Sequence, residues 1–102
     1  MIVSVENDLA ARDSKLVQHD SEHSRFFVPL PDGDAELFYA PFSEDVLDLQ
    51  HTEVPPSGQG RGIGSALVRA ALAYAREHDM RVMATCPYVR AWLRKHPEER
   101  PT

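Results

Sequence analysis

Val54-Pro55-Pro56-Ser57-Gly58-Gln59-Gly60-Arg61-Gly62-Ile63-Gly64-Ser65 is the stretch that decides the fold, because the periodicity of the chain changes across it. Before it, apolar and polar residues alternate as in a half-buried strand; after it, apolar residues recur at three- and four-residue steps as on one face of a helix. The paired prolines stop the first pattern, and glycines at 58, 60, 62 and 64 lead into the second. A glycine-rich loop between a strand and a helix is an anion site. Without Cβ atoms, successive main-chain N–H groups can converge, and the N-terminus of the helix adds unpaired donors and about half a positive charge.

Several nucleotide folds carry glycine loops, and the spacing separates them. A P-loop needs Lys and then Ser or Thr after its last glycine, whereas Gly64 is followed by Ser65 and Ala66, so no lysine reaches a γ-phosphate. The dinucleotide fingerprint spaces its glycines G-x-G-x-x-G and needs a larger parallel sheet than a chain of 102 residues can build. A ligand-free turn remains the bland alternative, but four alternating glycines are costly unless the backbone must approach something closely.

Working outward, Ile63, Leu67, Val68, Ala71, Leu72 and Ala75 form the apolar stripe of a helix running from Ile63 to about His78, with Asp79 at its end. Arg81 to Thr85 is a short apolar strand, and Tyr88 to His96 is a second helix with Val89, Trp92 and Leu93 on one face, stopped by Pro97. Towards the N-terminus, Arg25 to Leu30 reads as a strand, Pro31-Asp32-Gly33-Asp34 as a hairpin turn, and Ala35 to Phe42 as a second strand. Val46 to Val54 is a third strand, with Leu47, Leu49, His51 and Glu53 on one side and Val46, Asp48, Gln50, Thr52 and Val54 on the other. The window from His19 to Ser24 reads as a polar turn or loop, and the tail from Pro97 to Thr102 as frayed. These elements predict an α/β (α+β) fold: a mixed, mostly antiparallel sheet with one β-α-β unit and a C-terminal helix.

The bulk numbers narrow the function. One domain, residues 1–102, is expected, with 42% hydrophobic residues enough for a single core. A net charge of −5 works against nucleic acid and against an anionic membrane surface, and favours a basic or neutral partner. One cysteine permits no internal disulfide, and no apolar run approaches the ~20 residues of a membrane span. The first fifteen residues carry acidic side chains where a secretory leader is basic and apolar, so we expect no targeting segment, a cytoplasmic location and a monomer or weak dimer. His19, His23, His78 and His96 have no metal-ligand spacing with one another or with Cys86, which predicts no metal site.

Val54 to Gly64 resembles the acetyl-CoA signature of the GNAT superfamily, Q/R-x-x-G-x-G/A, through Gln59, Gly62 and Gly64. Together with Leu49 to Pro56, Leu67 to Leu72, Thr85 to Val89 and Arg94 to Glu98, the chain is similar to a small single-domain branch of that superfamily over about residues 25–98. It departs from that pattern at Gly58, where many relatives carry a larger residue, and in the short tail after Glu98. The resemblance implies a minimal GNAT core that binds acetyl-CoA or CoA. It assigns Gln59, Gly60, Arg61, Gly62, Ile63, Gly64 and Ser65 to the pyrophosphate, mainly through N–H groups, and Glu53 and Val54 to main-chain pairing with pantetheine. The implied activity is acetyl transfer to an amine of a small molecule or protein; the alternative is a CoA-binding module with little turnover.

Such a transfer needs a base for the amine, polarisation of the thioester carbonyl, and stabilisation of the departing thiolate. His51, three residues before Val54, is a candidate base facing the cleft, and Cys86, at the end of the neighbouring parallel strand, is expected to meet it there. Cys86 is either an acetyl carrier activated by the helix that starts near Tyr88, or a buried inert thiol. Glu53 and Asp48 are the carboxylates of the same strand and candidates to act through water, and Tyr88 is a candidate to protonate the thiolate. Arg90, Arg94 and Lys95 form a basic face on the last helix, either solvated or turned to the 3′-phosphate of CoA; Trp92 reads as core.

Overall fold

The computed structural model describes residues 16–101. The leaderless reading of residues 1–15, and Thr102, lie outside the described residues. Five strands, β1 (Gln18–Asp20), β2 (Arg25–Val28), β3 (Ala35–Ser43), β4 (Val46–Glu53) and β5 (Arg81–Ala84), form one sheet in the order β1-β2-β3-β4-β5. The first four are antiparallel neighbours and β5 runs parallel to β4. Helix α1 (Ile63–Glu77) makes the crossover, and α2 (Pro87–Lys95) follows β5. The mixed sheet, the β-α-β unit and the C-terminal helix are as the sequence predicts.

The periodicities explain the layers. Ile63, Leu67, Val68, Ala71, Leu72 and Ala75 of α1 are all buried, and they share one apolar cluster with Phe26, Leu37 and Leu49 of the sheet and Val89, Trp92 and Leu93 of α2. Truncating a buried leucine such as Leu37, Leu49, Leu67 or Leu72 to alanine typically costs about 2–5 kcal/mol. Past the end of helix α1, Asp79 has a φ of 54° that lets the amide of Met80 return to the carbonyl of Ala75 at 2.8 Å.

Two expectations at the ends of the chain are corrected. His19 and Asp20 belong to an edge strand, and the turn is confined to residues 21–24. Their side chains bond within the sheet: His19 Nε2 lies 2.6 Å from the Tyr39 hydroxyl, and Asp20 accepts from Arg25 Nε at 3.1 Å. Burial lowers the pKa of His19 from its ordinary value. The tail after Pro97 is docked, with a 3-10 turn at Pro97–Glu99, a bidentate Arg69–Glu99 pair at 3.0 and 3.1 Å, and Pro101 buried.

The third correction matters most for the site. Phe38 is paired with His51 and Tyr39 with Leu49, so Gln50 is an extra residue, a β-bulge that shifts the phase of β4. Leu47 and Leu49 share one side of β4 as predicted, the side buried in the core, but beyond the bulge it is Thr52, opposite Leu37, that shares it. His51 turns to the outer face, where its ring lies 6.3 Å from that of Phe38, and Glu53 turns there opposite Glu36.

Candidate functional site

A groove of about 420 Å³ runs along the glycine loop, from Thr52 and Val54 at the end of β4, past the first turn of α1, to Tyr88 on α2. Its floor is fixed by sterics. Gly58 is buried, and a Cβ there would lie 2.7 Å from Leu30 Cδ1 and 3.1 Å from both Ile63 Cδ1 and Val54 Cγ1, so the glycine lets the loop lie flat on the hairpin. Gly60 and Gly62 have φ of 76° and 79°, values that cost an L-residue about 1–2 kcal/mol.

Side chains pin the loop on three sides. Asp32, in the β2–β3 hairpin, accepts from the Ser57 amide at 3.1 Å and from the Ser57 hydroxyl, which hold its carboxyl below the usual range. Gln59 Nε2 donates to the Val54 carbonyl at 3.1 Å, and Trp92 Nε1 to the Ser65 hydroxyl at 2.9 Å. These bonds tie the loop to the hairpin, to the end of β4 and to α2.

Helix α1 begins without a side-chain cap and without an acidic residue in its first turn. The first intrahelical bond of its amides runs from Ala66 to the Gly62 carbonyl at 3.0 Å, so the N–H groups of Ile63, Gly64 and Ser65 have no intrahelical acceptor. A fifteen-residue helix therefore points its uncompensated positive end into the groove. The groove ends where the strands part: β4 and β5 are last paired at Leu49 and Ala84, the Cys86 amide still reaches the Leu49 carbonyl at 3.0 Å, and Gln50 to Glu53 continue without a β5 neighbour.

The candidate residues are distributed differently from the sequence expectation. His51 and Cys86 do not meet: the bulge puts His51 on the outer face, while Cys86 is buried with Sγ 3.5 Å from the Thr52 hydroxyl. Thr52, which the regular alternation had placed on the other side, is the β4 side chain that lines the groove. The signal was in the pattern: Leu47-Asp48-Leu49 alternates, and then Gln50 and His51 are polar in succession.

Asp48 is locked, accepting from the Thr85 amide at 2.9 Å and the Thr85 hydroxyl at 2.8 Å, and so shapes the end of β5. Tyr88 stands at the groove rim, 44% exposed. Arg90 and Arg94 line a separate cavity on the opposite flank of α2 from Tyr88, so that basic face is turned away from the glycine loop.

A family model described as GCN5-related N-acetyltransferase matches residues 25–101. The chain is similar to Protein NATD1 of Bos taurus, 39% identical over 83 residues, 79% of this chain and 74% of that one. The human Protein NATD1 is 37% identical over the same shares. Among solved structures, a GCN5-like protein of Staphylococcus aureus superposes with a TM-score of 0.65 at 22% identity, over 81% of each chain. Ard1 of Thermoplasma volcanium superposes at 0.57 and 19% identity, over 71% of this chain and 53% of that one. Both superpositions speak for the fold.

Proposed function

The chain belongs to the GCN5-related N-acetyltransferase family, and from that premise we propose that it binds acetyl-CoA in the Thr52–Tyr88 groove and transfers the acetyl group to an amine. The observation that carries the cofactor assignment is the uncapped, acid-free N-terminus of α1 opening into a groove whose loop turns at Gly60 and Gly62. The main-chain N–H groups of Ile63, Gly64 and Ser65 bind the pyrophosphate with no side chain to reorganise, and the exposed Arg61 adds charge nearby. Val54 offers less to the pantetheine arm than its position suggests, because its carbonyl already accepts from Gln59. The unpaired stretch of β4 beyond Leu49 is the alternative main-chain edge.

Acetyl-CoA, when bound, supplies a thioester with a thiolate leaving group. The bulge divides the remaining work between the two faces of β4: Thr52 faces the cofactor groove, and His51 faces the outer side from which an amine can approach the gap between the strands. His51 takes the amine proton, with the neighbouring carboxylate of Glu53 favouring a cationic acceptor. The amine nitrogen forms its bond to the carbonyl carbon, the carbon–sulfur bond breaks, and the Tyr88 hydroxyl at the rim gives its proton to the thiolate. The thiol of Cys86 packs behind Thr52, and transfer is direct.

Calorimetry with CoA and acetyl-CoA tests the cofactor assignment, and absence of binding at high micromolar ligand would refute it. Release of free thiol above background hydrolysis, in the presence of a panel of amines and peptides, distinguishes an acetyltransferase from a CoA-binding module. An acetyl adduct found by intact mass, and lost in Cys86→Ala, would replace direct transfer by a covalent route.

A further inference from the structure

Three arginines meet at one cavity on the flank of α2 that faces away from the glycine groove. The cavity, about 420 Å³, is lined by Arg90 and Arg94 of α2, Arg100 of the tail, and the apolar side chains of Ala84, Leu93 and Pro97. No carboxylate lines it, and none of the three guanidiniums forms an ion pair among the described residues. This is unexpected in a chain with 16 acidic residues against 11 basic ones. Elsewhere the arginines do find acids: Arg25 pairs with Asp20, Asp34 and Glu36, and Arg69 with Glu99. Arg100 borders a second cavity together with Glu98 and Glu99, yet pairs with neither, Glu99 being held by Arg69.

Two of the three are anchored by neutral groups. Arg100 Nη2 donates to the Val82 carbonyl at 3.0 Å, and Arg90 Nη1 to the carbonyls of Ala84 and Thr85 at 3.4 and 3.1 Å. These bonds cap the edge of β5 and fix each guanidinium, but a carbonyl leaves the positive charge uncompensated. Nε and Nη2 of Arg90, Nε and Nη1 of Arg100, and the whole fork of Arg94 have no acceptor among the described residues. Edge capping therefore accounts for Arg90 and Arg100 and not for Arg94. The negative end of the helix accounts for Arg94, in the last turn of α2, and not for Arg90 or Arg100. Neither accounts for their convergence, since like charges around one cavity repel and an anion between them removes that cost.

We infer that this cavity binds a phosphate monoester, its dianionic head against Arg90, Arg94 and Arg100 and its organic body on Ala84, Leu93 and Pro97. A tetrahedral dianion presents oxygens to planar forks that arrive from different directions, whereas a carboxylate offers a single charge in a single plane. Because two of the guanidiniums are already tethered, little side-chain freedom is lost on binding. The site stands apart from acetyl transfer, since it lies across α2 from the glycine groove.

The test is an NMR titration of the full chain with phenyl phosphate, inorganic phosphate and benzoate at constant low ionic strength, read at the Nε–H signals of Arg90, Arg94 and Arg100. Phenyl phosphate should give saturable shifts at all three, inorganic phosphate the same shifts with lower affinity, and benzoate should bind about tenfold more weakly than phenyl phosphate. Arg94→Gln, an exposed substitution, should weaken phenyl phosphate by about tenfold. Lys95→Gln, which removes the same charge beside the cavity but outside its lining, should leave the affinity nearly unchanged. The amides of Ile63, Gly64 and Ser65 report phosphate in the glycine groove separately. Shifts confined to those amides, equal binding of benzoate, or equal losses in Arg94→Gln and Lys95→Gln would overturn the inference. So would shifts of the three arginine side chains with CoA but not with dephospho-CoA, which would make the cavity one end of the cofactor site.

Discussion

The Tyr88 hydroxyl rests so closely over Gly64 that a Cβ on that residue would come within 2.6 Å of it. Gly64→Ala therefore leaves the fold intact, because the exposed Tyr88 ring can swing aside, but it opens the rim of the groove. We expect affinity for CoA to fall by about tenfold through lost positioning, measured by calorimetry. Combining it with Tyr88→Ala should then cost little more, since the ring has already been displaced.

Gly60 and Gly62 answer to backbone conformation instead of space, as a Cβ at either meets nothing within 4 Å. Alanine at each should lower stability by about 1–2 kcal/mol, a fall in Tm of roughly 4–8 °C per kcal/mol for a chain of this size. Gly58→Ala should destabilise through crowding against Leu30, by about 1–3 kcal/mol. Thermal denaturation with and without CoA separates the two causes: all three variants lower the ligand-free Tm, but only those at 60 and 62 should also reduce the increment that CoA adds.

The two faces of β4 give a contrasting pair. His51→Ala should lower kcat by about a hundredfold and leave CoA affinity unchanged, because the ring is on the outer face. Thr52→Val, inside the groove and beside Cys86, should raise the KM for acetyl-CoA and change kcat less. Steady-state kinetics on the two variants would contradict the assignment if the effects were exchanged.

The docked tail has an acid limit. The Arg69 guanidinium, first through its hydrogen bonds and then through its charge, holds the Glu99 carboxyl below the ordinary range. The stabilisation is thus complete above the ordinary glutamate value of about 4.3, and is lost as the pH falls through the lower folded value. Being partly exposed, the pair is worth about 0.5–1 kcal/mol. Glu99→Gln should abolish this acid dependence and increase amide exchange in residues 97–101, with the β-sheet amides unaffected.

How much was legible in the sequence follows from which forces are local. The helix stripe from Ile63 to Ala75, the hairpin at Pro31–Asp34 and the glycine loop are written in short-range periodicity and turn chemistry, and the structure has them where they were expected. The bulge at Gln50 is not legible in simple alternation, because one inserted residue exchanges every side chain beyond it. That single step misplaced His51 and Thr52. The edge strand at His19–Asp20 and the docking of Glu99 depend on partners 20 and 30 residues away, Tyr39 and Arg69, which no local pattern reveals.

The bond from Trp92 Nε1 to Ser65 gives the molecule an optical readout. Ser65 lies in the first turn of α1, the indole is stacked on His96 at 4.1 Å with the Arg69 guanidinium 5.1 Å from its ring, and the chain has one tryptophan. An anion bound at that turn would change the field at the indole, so the ultraviolet emission of unlabelled protein is expected to change on titration with CoA, without a label and in real time.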